Sequence, residues 1–132
     1  MVHINRIGNS TLNKKLKYYI RIYNIYSMTN RNLQDNPSLC IPKVEQSIRE
    51  KDIRDVFNKL NFGVIDRIDI VSWKKTMNTN HKFARIFIHF KGWNESSIDV
   101  RNDLLSGSTY NIVYNFPWYW KIVASRLPKP NY

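Results

Sequence analysis

Residues 83–90 constrain the possible folds of this chain more than any other segment. Large and small side chains alternate along them with a period of two, a pattern typical of a strand that is buried on one face only. The residues expected to face the core are Ala84, Ile86, Ile88 and Phe90. Those expected to face away from it are Phe83, Arg85, Phe87 and His89. The chain is therefore expected to build a sheet around this strand, with one face covered by other elements.

Two amphipathic segments predict helices. Ser47 and Glu50 form a capping-box pattern before the first helix, and Gly63 is expected to end it. Asn94 is expected to cap the second helix, residues 95–106, which Gly107 would end. The inward-facing residues of the first helix are Ile53, Val56, Phe57 and Leu60. Those of the second helix are Ile98, Val100, Leu104 and Leu105.

Short runs rich in β-branched and aromatic residues predict five strands. They are residues 39–44, 65–73, 83–90, 110–114 and 118–125, and the last two form a hairpin around residues 115–117. The predicted order is βαββαβ with one hairpin added before the last strand, the split βαβ, ferredoxin-like pattern. The predicted fold class is an α+β sandwich: a four-stranded antiparallel sheet with two helices on one face and the other face open.

The chain divides into three predicted parts: an extension of residues 1–37, a domain of residues 38–126 and a tail of residues 127–132. Residues 1–27 contain five Lys or Arg and no acidic residue. Three interpretations stay open for them: a basic arm that binds phosphates or a membrane surface, a short extra strand or helix, or a leader that precedes a true start at Met28. Residues 31–37 are polar and indicate a linker.

The charge of the chain indicates the class of partner. Its 132 residues include 21 Lys and Arg against 10 Asp and Glu, which gives a net charge of +11. Such an excess favours a polyanionic partner, nucleic acid first and an anionic membrane surface second. A basic protein with no such partner is the alternative.

Cysteine content, hydropathy and codon usage bear on location and origin. The single cysteine, Cys40, excludes an internal disulfide and favours a reducing compartment. No apolar run approaches the roughly 20 residues that span a bilayer, and residues 1–13 lack the apolar region of a signal peptide. An intracellular protein of the cytoplasm or nucleus is expected. Sixteen Asn and sixteen Ile against two Ala indicate AT-rich codons, as in low-GC large DNA viruses and some protists; for a viral protein the location would be the host cell.

Four segments together resemble the RNA recognition motif family. Residues 81–88 are similar to its template of basic, Gly, aromatic, small, aromatic, aliphatic, any and aromatic residues, with Phe83, Ala84 and Ile86 in place. Arg85 and Ile88 stand where the template has aromatics. Residues 39–44 resemble the family's first strand, residues 53–65 its first helix and next strand, and residues 120–126 its last strand. The resemblance implies single-stranded RNA binding by stacking of bases on the two central strands.

The resemblance also implies roles for residues of the open face. Phe83 would stack a base, Arg85 would stack its guanidinium plane or bind phosphate, and Phe87 or Trp73 would add a further ring. Cys40 stands where the first strand of the family offers an aromatic, so the chain is a degenerate member. Phosphate binding would fall to Lys43, Lys74, Lys75, Lys82, Lys121 and Arg126.

Each of these roles has a structural alternative. Phe83 could be covered by the extension or the tail, and Arg85 could form an ion pair with Asp69 on the neighbouring strand. The aromatic run of residues 116–120, which includes Phe116, Trp118, Tyr119 and Trp120, is interpreted first as packing at the hairpin and second as a protein-docking surface. A protein-interaction module without sequence-specific RNA binding is therefore the second functional hypothesis.

No motif supports catalysis. His3, His81 and His89 are scattered, and Cys40 has no neighbouring residue in sequence that would activate it. No Gly-rich phosphate loop or zinc-ligand spacing occurs. We therefore expect no enzyme activity, no cofactor and no metal.

Overall fold

Six strands and two helices make up the described part of the chain, residues 2–7, 36–74 and 82–125 of a computed structural model. In chain order they are β1 (His3–Ile7), β2 (Leu39–Glu45), α1 (Glu50–Leu60), β3 (Gly63–Lys74), β4 (Lys82–Trp93), α2 (Ile98–Leu105), β5 (Thr109–Asn115) and β6 (Trp118–Ala124). One turn of 3-10 helix, Glu95–Ser97, leads into α2. None of these helices is long and apolar enough to cross a membrane.

All six strands lie in one antiparallel sheet in the order β1-β5-β6-β2-β4-β3. The predicted fold class, a four-stranded ferredoxin-like sandwich, is therefore wrong, because the structure is mostly antiparallel β with an open six-stranded sheet and two helices. The hairpin strand β5 pairs with β6 inside the sheet, and β1 pairs with β5 in turn. An unpaired strand edge leaves a row of backbone N–H and C=O groups without partners, and β1 supplies partners for β5.

Part of the N-terminal segment forms a strand of the sheet. His3–Ile7 pairs with β5 over five residues, whereas the interpretations given for residues 1–27 as a whole stay predictions. Residues 8–35, including Met28, lie outside the described part, as do residues 75–81 and the tail from Arg126 onward. A chain that began at Met28 would lack one strand of the sheet.

Both helices pack on the same face of the sheet and cover one core. Buried side chains of α1, α2 and five of the strands form a single cluster. Ile53 and Phe57 of α1 and Leu104 of α2 are almost fully buried. The residues predicted to point inward from β4, namely Ala84, Ile86, Ile88 and Phe90, are all buried, which confirms that prediction. The sheet face opposite the helices is called the open face below.

The ends of α1 differ from the prediction. The helix begins after Arg49, whose backbone N–H donates to Asp52 Oδ2 at 3.3 Å, so the predicted capping box of Ser47 is wrong. The C-terminal cap is Asn61, which has a left-handed conformation with φ of 56°. Asparagine tolerates this conformation better than most residues. Gly63 therefore does not end the helix and belongs to β3.

The second helix follows its prediction more closely. Gly107, with φ of 97°, follows α2 as expected, and Leu104 points into the core. Ile98 is exposed instead of inward-facing, because the 3-10 turn shifts the start of the α-helix to this residue.

A polar cluster attaches β1 to α2 and β5. Asp103 of α2 accepts a hydrogen bond from the Tyr110 hydroxyl at 2.7 Å and forms an ion pair with Arg6 Nε at 3.2 Å. Arg6 also donates to Ser108 Oγ at 3.4 Å. Burial, together with the hydrogen bond to Asp103, raises the pKa of Tyr110 to about 12.

The raised pKa predicts a loss of stability in strong alkali. The protonated phenol stabilises the fold fully below pH 10, the ordinary pKa, and that contribution is lost as pH rises to about 12. We expect Tyr110→Phe to lower the free energy of unfolding by about 1 kcal/mol at pH 8. The difference between wild type and variant should shrink between pH 10 and 12 in urea denaturation at each pH. A constant difference over this range would contradict the prediction.

Candidate functional site

The open face carries side chains of β4 that alternate with its buried residues. Arg85 is exposed and Phe83 and Phe87 are partly buried, as their alternation with core residues predicts. On the neighbouring edge strand β3, Asp69 pairs with Phe87 and Val71 pairs with Arg85. This strand therefore places two rings and one guanidinium in a row on the open face.

Phe83 has a cation against its ring. Lys43 Nζ of β2 lies 4.2 Å from the ring centroid, a cation–π contact. An irregularity in the pairing of β2 with β4 between Ile41 and Val44 lets Lys43 reach this face. The ring and the ammonium group form one unit at the end of β4.

The strand β6 extends the same surface. Trp120 and Ile122 are buried under the helices, so the alternating residues Tyr119, Lys121 and Val123 lie on the open face. Lys121 is exposed, as predicted, and pairs with Asn111 of β5. Tyr119 is an aromatic of this face that the sequence interpretation assigned to the hairpin. The alternation with Lys121 was the signal that could have placed it.

The remaining predicted residues fall into two groups. Lys82 is exposed but alternates with Phe83, so it lies on the helix side with Ala84 and away from the open face. The backbone of Trp73 pairs with Phe83, but its side chain and that of Lys74 lie outside the described part. Lys75 and Arg126 also lie outside it.

Arg85 was the ion-pair partner expected as an alternative for Asp69, but Asp69 contacts His89 and Arg67 instead. The carboxylate oxygen Asp69 Oδ2 accepts a hydrogen bond from His89 Nε2 at 2.9 Å and another from Arg67 at 3.2 Å. His89 Nδ1 lies 2.6 Å from Ser38 Oγ. His89 is on the open-face side of β4, as predicted, but only 2 % exposed. The sequence interpretation missed this network because its members are 20 and 51 residues apart.

The network joins three strands and leaves its histidine fully paired. Ser38 precedes β2, His89 belongs to β4 and Asp69 to β3. A serine hydroxyl can donate to a ring nitrogen or accept from it, so the bond between Ser38 and His89 forms with either tautomer of the imidazole. Ser, His and Asp also occur in hydrolase triads, but there Nε2 faces the serine, whereas here Nδ1 does. The arrangement acts as a clamp between strands.

A cleft lies beside the network and is not confined to the open face. It has a volume of about 590 Å³ and is lined by open-face residues of β2, β4 and β6, and also by the end of α2, the turn after it and the first residue of β5. Cys40, Arg85 and Phe87 line it, whereas Ser38 and His89 do not. Cys40 pairs with Phe87 on one side and with Val123 on the other. Burial raises the pKa of its thiol above the ordinary value, although Arg85 opposes this shift.

The aromatic hairpin divides into a buried and an exposed part. Trp120 is buried and stacks on Tyr114, with ring centroids 4.2 Å apart, which confirms packing for this residue alone. Phe116, Trp118 and Tyr119 are 83 %, 64 % and 56 % exposed. The preferred interpretation of the run as packing is therefore wrong for Phe116, Trp118 and Tyr119.

In the described residues no group of three or more His, Cys, Asp or Glu could hold a metal ion. Comparisons of the chain with protein-family models, with curated proteins and with solved structures give no significant match.

Proposed function

We propose that the protein binds single-stranded RNA on the open face of its sheet, as a binding protein and not as an enzyme. The observation that carries the proposal is the placement of Phe83, Lys43 and Arg85 together on the face opposite the helices. Single-stranded nucleic acids bind to grooves that combine aromatic rings with cations, because every base has a face that stacks and every linkage has a charge. The net charge of +11 favours such a partner over a neutral or cationic one.

The contact between Lys43 and Phe83 does not prevent a base from stacking on the ring. An exposed cation–π contact contributes about 0.5–1 kcal/mol, whereas a base stacked on an aromatic side chain contributes about 1–3 kcal/mol. The exchange of ammonium for base is therefore favourable. The displaced ammonium group of Lys43 stays beside the nucleotide, where it can neutralise a phosphate.

Cations of the open face set the salt dependence of binding. Lys43, Arg85 and Lys121 are its basic residues on β2, β4 and β6. For single strands, log Kobs changes with log salt with a slope of about −0.7 for each phosphate neutralised, which gives about −2 for three contacts. The stacking contribution of Phe83 should persist when salt is raised.

Fluorescence anisotropy with labelled RNA of about eight nucleotides tests the proposal on the full chain. We expect Phe83→Ala to weaken binding about tenfold at physiological salt, because a stacked base is lost. Lys121→Gln should weaken binding less and make the salt slope shallower by about 0.7.

Matched controls come from outside the open face. Phe116→Ala removes an exposed ring at the hairpin tip, and Lys59→Gln removes an exposed charge of α1. Both are expected to bind RNA like the wild type, apart from a small uniform effect of net charge for Lys59→Gln. Equal effects of Phe83→Ala and Phe116→Ala, or binding that disappears at physiological salt, would reject the stacking surface.

The exposed hairpin favours a second candidate function, docking to another protein. Phe116 and Trp118 are large and exposed, and only Pro117 separates them in the chain. Aromatic residues dominate the binding energy of protein interfaces. A partner protein whose binding is lost in Trp118→Ala but kept in Phe83→Ala would support this function. Docking would become the leading function if RNA binding depended equally on Phe83 and Phe116 and disappeared at physiological salt, and if such a partner protein were found.

A further inference from the structure

We propose that the cleft between the open-face residues of β2, β4 and β6 and the end of α2 holds one nucleotide of the bound strand, with its base inserted over Cys40 and its phosphate on Arg85. The inference rests on the proposed function and names a site within it. The cleft volume of about 590 Å³ lies within the range of roughly 300–1,000 Å³ that is typical of ligand pockets. A flat ring would support a base from one side only, whereas a cleft can enclose it.

The small side chain at position 40 creates the depth of the cleft. Cys40 lies between Phe87 and Val123, which pair with it on the two neighbouring strands. It is 8 % exposed, so it forms the floor between two larger side chains. An aromatic ring at this position would project into the cleft and fill it. Cys40 is therefore the residue that makes room for the base.

The lining of the cleft matches the chemistry of a nucleotide. Arg85 is the one charged residue among the described residues that line it, and a guanidinium binds phosphate in a bidentate manner. Phe87 and Val123 offer apolar surface to the faces of a base. Hydroxyl groups of Ser108, Thr109 and Ser125 also line the cleft. Ser108 Oγ already accepts a hydrogen bond from Arg6, and Thr109 Oγ1 donates to the carbonyl oxygen of Ile7. Ser108 can therefore still donate to the polar edge of a base, and Thr109 can still accept from it.

Substitution of Cys40 tests the inference, with the same labelled RNA and the full chain. If the base is inserted, Cys40→Phe blocks the cleft and should weaken binding about tenfold or more, the effect of losing one stacked base. Cys40→Ser keeps the space and should bind within about twofold of the wild type. If the face is instead a flat stacking surface, Cys40→Phe adds a ring and binds as tightly as the wild type or more tightly, which would overturn the inference.

Alkylation of Cys40 gives a second measurement that requires no substitution. Because the chain contains a single cysteine, the rate of its reaction with N-ethylmaleimide reports on the cleft alone. Saturating RNA should slow this reaction about tenfold, the effect of a well-occupied site. Protection by millimolar uridine or adenosine monophosphate would show that a free nucleotide suffices, whereas protection by RNA only would show that the strand is needed. An unchanged rate at saturating RNA would overturn the inference.

The two measurements separate this inference from the proposed function. RNA binding that depends on Phe83 but leaves the alkylation rate unchanged would retain the stacking surface and reject the cleft site. RNA binding that ignores Phe83 and disappears at physiological salt would reject the proposed function. The inference would fall with it, because no strand would then lie on the open face.

Discussion

Gly63→Ala is expected to lower the free energy of unfolding by about 3 kcal/mol, the upper part of the usual range for overpacking. A Cβ atom at this position would lie 2.9 Å from Trp93 Cα and closer still to the carbonyl oxygen of Gly92. Both neighbours are backbone atoms of β4, so no rotation of a side chain can relieve the contact. The strands β3 and β4 must separate at the point where Gly63 pairs with Trp93.

Gly92→Ala provides the matched control on the partner strand. The nearest atom to a Cβ at Gly92 is Asn36 Oδ1 at 4.0 Å, an ordinary contact. Alanine also reduces the conformational entropy of the unfolded chain, so this change is expected to alter stability by less than about 1 kcal/mol. Urea denaturation followed by tryptophan fluorescence measures both variants. Equal losses at Gly63 and Gly92 would show that the close approach of the strands does not limit the residue at position 63.

Gly63 also shows why local sequence patterns predict the presence of a helix or strand better than the residue at which it ends. A glycine shortly after an apolar stripe is typical of a helix end, and the helix itself was predicted correctly from Ile53 and Phe57. The cap is Asn61 instead. Gly63 lies two residues later in β3, where its backbone closely approaches the backbone of β4. That contact joins residues about 30 positions apart, which no local pattern reports.

The number of strands in the sheet depended on pairing, which the sequence shows poorly. Both strands of the hairpin were predicted, but the four-stranded family pattern left no place for β5 beside β6. His3–Ile7 has too few apolar residues to indicate a strand by itself, and its place follows from the edge of β5 that it covers. Alternation alone, without any assumption about the family, would have allowed a larger sheet.

The site was predictable where it depended on alternation and not where it depended on tertiary contacts. A period of two placed Phe83, Arg85 and Phe87 on the open face, as observed. The position of Lys43 over Phe83 needed the irregular pairing of β2, which has no signature in sequence. The cleft at Cys40 is a second example. The sequence shows that position 40 lacks an aromatic ring, but it does not show that the absence of the ring leaves a space.

His89→Ala is expected to lower the free energy of unfolding by about 4 kcal/mol. The change leaves a cavity at a residue that is 2 % exposed. It also removes the partner of Ser38 Oγ and one of the two partners of Asp69 Oδ2. A large-to-small substitution of a buried ring costs about 3–5 kcal/mol, and an unsatisfied buried polar group costs about 1–3 kcal/mol. The residues around the cavity can relax, and Arg67 still bonds to Asp69. The expected value therefore lies at the lower end of the sum of these two costs.

His89→Phe separates packing from hydrogen bonding in this network. Phenylalanine restores most of the ring volume but neither hydrogen bond, so it should regain only part of the stability lost in His89→Ala and remain about 2 kcal/mol below the wild type. His3→Ala, at an exposed position of β1, is the matched histidine control and should change stability by less than about 0.5 kcal/mol. Urea denaturation at pH 8 measures all three. If His89→Phe were as stable as the wild type, the clamp between β2, β3 and β4 would act through packing, and its hydrogen bonds would contribute nothing measurable.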